Sequence, residues 1–599
     1  MNNTTKHTRT GKGKIISIDG SVIGVFGLDR PKVGDLVAIG EKKLIGEVIK
    51  IYQEKTITQC FDNTEGLRMG EPVENTNKPL SMELGPGLLN QIFDGIQRPL
   101  TDIDDFLETG ISIKPLSRKK IWHFIPLKKR GDHVKGGDII GEVQETSTIV
   151  HKIMVPFNRR GIIADISEGD YRVNDDVYTL EHDRKKTSYS MIQKWPIRQP
   201  RPFKEHYYPK DPLITGMRVI DLMYPVAKGG AVAIPGGFGT GKTVTQHSLA
   251  KFANADIIFY VGCGERGNEM ADVLEQFPGI IDPHTEKPIM ERTVLIANTS
   301  NMPVSAREAS IFSGLTMAEY YRDMGYDVCL LADSTSRWAE ALREISARLE
   351  EMPTEGGYPA YLATRLANFY ERAGLTQTIG NPTRKGSLTL IGAVSPQGGD
   401  FSEPVTKTTR RFVRTFWALD PDLAYSRHYP AISWTESYSL YAEILKDWWK
   451  NNFGKGWNAY RNQINAILSE SDELQNMVQL VGRENLPSRQ QLDLFTSDLI
   501  KDAFLIQNAF DPVDQYSSPE KTLALIRLII EFYSMAQNII EDIPMSRIKE
   551  LSSIEEISRA KSNIDNDHID KIKSIESLIE GEFDALVEEY NIHDESQEK

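Results

Sequence analysis

The stretch that most constrains this chain is an apolar strand that breaks into glycine and re-forms as a helix. Ala231-Val-Ala-Ile234 runs into Pro235-Gly236-Gly237-Phe238-Gly239-Thr240-Gly241-Lys242-Thr243, and Val244 to Phe252 reads as a helix. A G-x-x-x-x-G-K-T loop between a strand and a helix is built to hold phosphate. Its glycines let successive backbone N–H groups turn inward onto anionic oxygens. The helix N-terminus adds positive partial charge. Gly236, Gly237, Phe238, Gly239, Thr240, Gly241, Lys242, Thr243 and Val244 are therefore the predicted nucleotide-binding stretch. Lys242 would reach the β- and γ-phosphates of ATP or ADP, and the Thr243 hydroxyl would take a Mg²⁺ position.

Two further strands end in chemistry. Tyr326-Asp327-Val-Cys-Leu-Leu-Ala332-Asp333 is an apolar run closing on a carboxylate, and ligands collect at strand ends of open α/β sheets. Asp333 is the predicted second metal residue; an Asp opening the next helix, Ser334 onward, is the other reading. Asp256-Ile-Ile-Phe-Tyr-Val261 ends at Gly262-Cys263-Gly264-Glu265-Arg266-Gly267-Asn268-Glu269. Hydrolysis needs a group to orient or deprotonate water. The residues alone leave Glu265 and Glu269 as alternatives for it, with Arg266 a candidate for positioning or charge sensing.

Around these motifs the chain alternates apolar strands (256–261, 293–297, 327–332, 388–394) with helical stretches from about 196 to 440, the pattern of a mostly parallel covered sheet. Residues 1–75 hold short β-branched runs such as Lys14–Gly20, Ser21–Phe26 and Lys43–Tyr52, the spacing of a small β-barrel. A linker follows over 76–110, and 111–195 is β-rich with glycine turns. From 441 to 599 the pattern is helical. Ile572, Ile575, Ile579 and Leu586 share one face, and an acidic tail from Glu588 is expected to fray. The expected architecture is thus a β-barrel, a β-rich insertion, an α/β phosphate-loop domain and a helical bundle. With 599 residues, several domains are required.

Composition narrows the class. The 40% hydrophobic and 26% charged content is that of a globular chain, and no apolar run is long enough to span a bilayer. The polar, basic start at Met1–Lys14 lacks an apolar core for secretion. Cys60, Cys263 and Cys329 are too scattered for a disulfide framework and suit a reducing cytosol. A net charge of −14 argues against nucleic acid as a partner.

Several long motifs occur together in one order. They are Thr215-Gly-Met-Arg-Val-Ile-Asp221, the phosphate loop with Phe238, Gly264-Glu-Arg-Gly-Asn-Glu269, Gly325-Tyr-Asp-Val328, Asp333-Ser-Thr-Ser-Arg-Trp-Ala-Glu-Ala-Leu-Arg343, Leu349–Pro353, Gly357–Tyr361 and Asn368–Gly374. With them the chain resembles, over nearly its whole length, the catalytic A subunit of V/A-type rotary ATPases. The resemblance implies ATP hydrolysis or synthesis coupled to H⁺ or Na⁺ transport, with Glu265 as the catalytic glutamate beside Lys242 and Arg266. It implies Phe416 and Phe510 as aromatics around adenine, against the commoner alternative of core packing. It implies non-catalytic B subunits alternating in an A3B3 ring, an arginine supplied by a B subunit, and Mg²⁺. A central shaft, a peripheral stalk and a membrane rotor complete the implied assembly, with the chain peripheral on the cytoplasmic face. The 111–195 region looks like the family's insertion, and Ser469 to Pro487 like the tip that pushes the shaft. Gly237 departs from a common Pro, Thr240 from the Cys of eukaryotic forms, and Ser433 from a usual Asn, which puts a local hydrogen bond in doubt.

Three other readings fit less of the chain. A ring-shaped RNA translocase would need a basic, aromatic-studded N-terminal module. A flagellar-type export ATPase lacks so long an insertion and helical bundle. The non-catalytic B subunit would not keep Lys242, Thr243 and Glu265 together.

Overall fold

A computed structural model describes residues 12–53, 55–100 and 114–590; parts of the expected N-terminal segment and linker, and the tail from 591, lie outside them. Compactness divides the chain into two units: Met1–Tyr208 with Lys228–Ala231 and Ala255–Val413, and Pro209–Ala227 with Val232–Asn254 and Arg414–Lys599. The phosphate loop thus groups with the C-terminal helices, and the strands ending at Glu265 and Asp333 group with the barrel.

In the first unit, six antiparallel strands close a barrel in the order Lys12–Asp19, Val22–Phe26, Lys55–Cys60, Leu44–Ile51, Asp35–Ile39, Pro72–Pro79. Alternation drives it: Ile15, Ile23, Val25, Val37, Ile39, Leu44 and Val48 face one buried core, which full closure shields from edge pairing. The insertion folds as two four-stranded sheets. One contains Ile121–Pro126 and Ile139–Gln144, the other Arg160–Ile166 and Tyr178–His182. Their closest approach to the α/β core needs two glycines. A Cβ on Gly380, whose φ is +104°, would stand 2.1 Å from the Gly137 carbonyl.

A buried polar knot fastens the insertion to the rest of this unit. Glu145 accepts backbone N–H groups from Gly87, Leu88 and Leu89. It meets His151 Nδ1 at 2.6 Å and the Tyr321 hydroxyl at 2.9 Å, while His151 Nε2 lies 3.0 Å from the Tyr320 hydroxyl. The α/β core lies beside it. Lys385–Val394, Asp327–Asp333, Ile257–Glu265, Thr293–Thr299 and Gln91–Phe93 run parallel in that order. The buried helix Val304–Asp323 covers them, as near-continuous apolar strands require.

In the second unit, Val232 and Ala233 of the strand Ala231–Pro235 pair parallel to Thr415–Phe416. Helices Ala442–Phe453, Gly456–Val481, Ser488–Ile500, Pro519–Ile539, Ser553–Asn563 and Ile572–Glu589 make its bundle. The expected stripe is buried, with Phe583 added to Ile572, Ile575, Ile579 and Leu586. Among the described residues no helix is long and apolar enough to cross a membrane. Arg218, fully buried, is a hub of this unit. It donates to Asp514 Oδ1 at 2.6 Å and to the carbonyls of Phe504 and Ile506 at 2.8 and 2.7 Å. Removing one side of a buried pair leaves an uncompensated charge. Arg218→Ala should therefore lower the stability of this unit by about 3–5 kcal/mol in denaturant unfolding, with the first unit's transition unmoved.

Candidate functional site

Two left-handed glycines shape the phosphate loop in the second unit. Gly239 and Gly241 take φ of +78° and +85°, conformations costly for other residues, and Gly241 caps the helix Lys242–Phe252. Thr240 is buried and donates its hydroxyl to the Gly237 carbonyl at 2.9 Å, closing the turn from inside. Lys242 Nζ folds back onto the carbonyls of Gly236 and Gly237 at 2.7 and 2.8 Å. Thr243 is half-buried, while Phe238 and Val244 are exposed. The loop thus presents an ammonium, a hydroxyl and a helix N-terminus, a set suited to phosphate oxygens.

The aromatics divide differently from expectation. Phe416 is fully buried and stacks on Tyr438, with centroids 5.7 Å apart and planes at 7°. Its strand partner Ala233 holds it in the core, so it offers no free face to a base. Phe416, expected beside adenine, thus lies in this core. Phe510 is 84% exposed. Tyr429, unremarked in the sequence, is the better-placed ring: a Cβ on Gly241 would lie 3.3 Å from its edge. The Tyr429 carbonyl accepts the Gln507 N–H at 2.8 Å, which ties it to the loop carrying Phe510. Only the neighbouring Pro430-Ala-Ile-Ser433 run hinted at it. The Ser433 and Thr435 hydroxyls lie 3.0 Å apart.

In the first unit, parallel pairing puts Gly262 opposite Asp333 and Glu265 opposite Thr299. Gly264, with φ of +75°, lets the chain turn between Arg307 and Arg337, 2.8 and 2.9 Å from where a Cβ would stand. Asp333 is buried and accepts the Tyr260 hydroxyl at 3.1 Å. Glu265 is half-buried and hydrogen-bonds Glu269. Burial, then the Asp333 charge, then Glu269 push its carboxyl up to about 8, against the pull of Arg337. Ser334 caps the helix Thr335–Arg348, so the cap belongs to the residue after Asp333. Arg337, which neither periodicity nor spacing singled out, lies among these acids and is paired to Glu340 at 2.9 Å. Arg266 is exposed and opens the helix Gly267–Gln276.

The family models agree with these parts. Residues 216–439 match the nucleotide-binding domain of the ATP synthase alpha/beta family, and 15–77 its beta-barrel domain. Residues 113–198 match the barrel-sandwich domain of the alpha/beta subunits, and 446–549 the C-terminal domain of V and A type ATP synthase. The chain is 52% identical to the A subunit of the A-type ATP synthase of Hyperthermus butylicus, over 96% of this chain and 98% of that one. It is 51% identical to the V-type ATP synthase alpha chain of Thermoanaerobacter pseudethanolicus, over 96% and 99%. A solved structure of the assembled ATPase EscN, from the type III secretion system of enteropathogenic E. coli, shares the fold. Its TM-score is 0.62 at 22% identity, covering 86% of this chain and all of that one.

The crowded carboxylates carry a pH signature. Glu265 binds its proton more tightly folded than unfolded, where its ordinary value is 4.5. Between that value and about 8 the folded state holds the extra proton, so stability contributed by this group falls as pH rises through that window. Glu265→Gln removes the penalty. In thermal unfolding, its Tm relative to the unsubstituted chain should rise from pH 5 to pH 8.5; a constant difference would contradict the crowding.

Proposed function

The chain belongs to the A-subunit family of the A- and V-type ATP synthases, and from that premise we propose what each part of its site does. As a member of that family it is an ATP hydrolase and synthase. It is one component of a membrane-associated complex of many subunits, whose turnover is coupled to rotary transport of H⁺ or Na⁺.

The observation that carries the site assignment is the pre-shaped loop with Lys242 folded over its own carbonyls. On ATP binding the ammonium exchanges those carbonyls for β- and γ-phosphate oxygens, and the loop's N–H groups hold the remaining charge. Tyr429 and Phe510 face the adenine. Glu265, ionised once cationic charge relieves its crowding, accepts a hydrogen bond from the attacking water and lines it up with the γ-phosphorus. Arg266 steadies that carboxylate or senses phosphate charge.

Thr243 and Asp333 are the residues for Mg²⁺. Their side-chain donors are oxygens, as a hard cation requires. When bound, Mg²⁺ would neutralise phosphate charge.

B subunits alternating with this chain in an A3B3 ring would supply an arginine to the transition state, a contribution of roughly 10³–10⁵ in rate. The C-terminal end of the helix Gly456–Val481 exposes Met477, Leu480 and Val481, a surface suited to pushing on a central shaft. A peripheral stalk, a membrane rotor and a cytoplasmic-face location complete the proposed setting.

In the assembled complex, Lys242→Ala should abolish ATP turnover while far-UV circular dichroism stays unchanged; turnover near the normal rate would remove the loop from catalysis. Tyr429→Ala should weaken Mg-ATP binding about tenfold, the loss of one stacking contact of about 1–3 kcal/mol. Phe416→Ala should instead cost about 3–5 kcal/mol of stability, as emptied aromatic core sites do. Calorimetric binding and denaturant unfolding of the two variants separate these roles.

A further inference from the structure

The loop that carries Phe510 is anchored at its stems. From Asn508 to Val513 no residue is buried, whereas Gln507 before them and Asp514 after them are. The tip is closed by its own polar bonds: Asp514 accepts the Asn508 N–H at 2.8 Å, and the Asn508 side chain accepts the Phe510 N–H at 3.0 Å. Where the exposed Phe510 ring stands is therefore set where the stems enter and leave the helical bundle.

Two lysines meet those stems. Lys561, on the helix Ser553–Asn563, donates its ammonium to the carbonyls of Asp502 and, at 3.2 Å, Ile506 on the incoming stem. Lys521, fully buried on the helix Pro519–Ile539, donates to the Val513 carbonyl on the outgoing stem at 3.1 Å. It also donates to the backbone carbonyl of Lys561 at 2.9 Å. That last bond closes a bracket: the ammonium on one stem also holds the residue that grips the other. Burial and the Arg218 charge pull both lysines below their ordinary value, Lys521 to about 8, against the charge of Asp514. An apolar side chain would fill either place without the cost of burying charge, but it could not grip a carbonyl. The outgoing stem is also registered on the phosphate-loop helix. Lys251 donates to the Gln515 side chain at 2.8 Å, and Phe252 stacks on Tyr516 with centroids 5.4 Å apart.

We propose that Lys561, braced by Lys521, is a positioning residue of the nucleotide site, which brackets the stems of the 507–514 loop so that Phe510 is set against the adenine ring. The proposal rests on the reading of Phe510 as an adenine contact. A loop ordered before binding spares the ligand the cost of ordering it. The bracket therefore acts on affinity for the base and leaves affinity for the phosphates alone.

The test is calorimetric binding of Mg-ATP, and of Mg-tripolyphosphate, which lacks the base, to the full chain. Lys561→Met should weaken Mg-ATP about tenfold, as the loss of a charge-assisted bond does, and leave Mg-tripolyphosphate unchanged. Lys561→Arg should keep most of the Mg-ATP affinity. In a chain already carrying Phe510→Ala, Lys561→Met should cost no further affinity, because both act through one contact. A milder Lys561→Gln, with an expected loss of about threefold, carries the same ligand comparison if denaturant unfolding shows the Met variant to be poorly folded. Unchanged Mg-ATP affinity in the Lys561 variants, beside a loss in Phe510→Ala, overturns the bracket and keeps Phe510 at the base. No loss in Phe510→Ala removes the adenine contact itself, and the proposal with it. Equal losses for the two ligands, or losses that add in the double variant, make Lys561 a general support of the unit and overturn the proposal as well.

Discussion

The parallel pairing of two buried strands is the constraint on which the acid half of the site depends. Ile257–Glu265 and Asp327–Asp333 run the same way, so their C-terminal ends, and the acids they carry, come out at the same edge. Gly262 stands level with Asp333, and Glu265 follows three residues on. The approach of Glu265 and Asp333 is therefore set by the sheet, and the helix Gly267–Gln276 that follows brings Glu269 to them. Its electrostatic consequence, a carboxyl that holds its proton to about 8, follows from burial and like charge.

Elsewhere the chain uses buried polar knots where apolar packing would leave a joint unspecified. Arg218 joins the 504–514 loop to the helix Arg218–Met223 through a carboxylate and two carbonyls. Glu145 joins the insertion to the helix Val304–Asp323 through His151 and two tyrosines. Each knot tolerates one arrangement, because any other leaves charge or N–H groups unpaired in the interior. The phosphate loop follows the same logic on a smaller scale, with Thr240 and Lys242 satisfied by the loop's own carbonyls.

What was legible in the sequence was local. The phosphate loop is written in nine consecutive residues, and the barrel and helical stripe in short periodicities, so these parts of the fold were expected and found. What was not legible lay far apart in the chain. Tyr429 reaches Gly241 across nearly two hundred positions, and no spacing rule predicts that meeting. Phe416 is hard to place from sequence because an aromatic in a short strand looks the same whether it faces a ligand or the core; in the fold it is buried and stacks on Tyr438. Glu265 and Glu269 could not be ranked from composition, since burial and the Asp333 charge, both three-dimensional, are what distinguish Glu265. The Glu145 knot escaped for the same reason: a Glu, a His and two tyrosines from distant segments carry no motif.

The account stands or falls on Glu265 as the group that acts on water. The most direct test places Glu265→Gln and Glu269→Gln separately in the assembled complex and measures Mg-ATP affinity and turnover for each. A carboxamide keeps size but is a very weak base. The account predicts that Glu265→Gln keeps its affinity while turnover falls by at least roughly a hundredfold, with the Glu269 variant far less affected. Normal turnover in Glu265→Gln, with the loss appearing in Glu269→Gln instead, would contradict it.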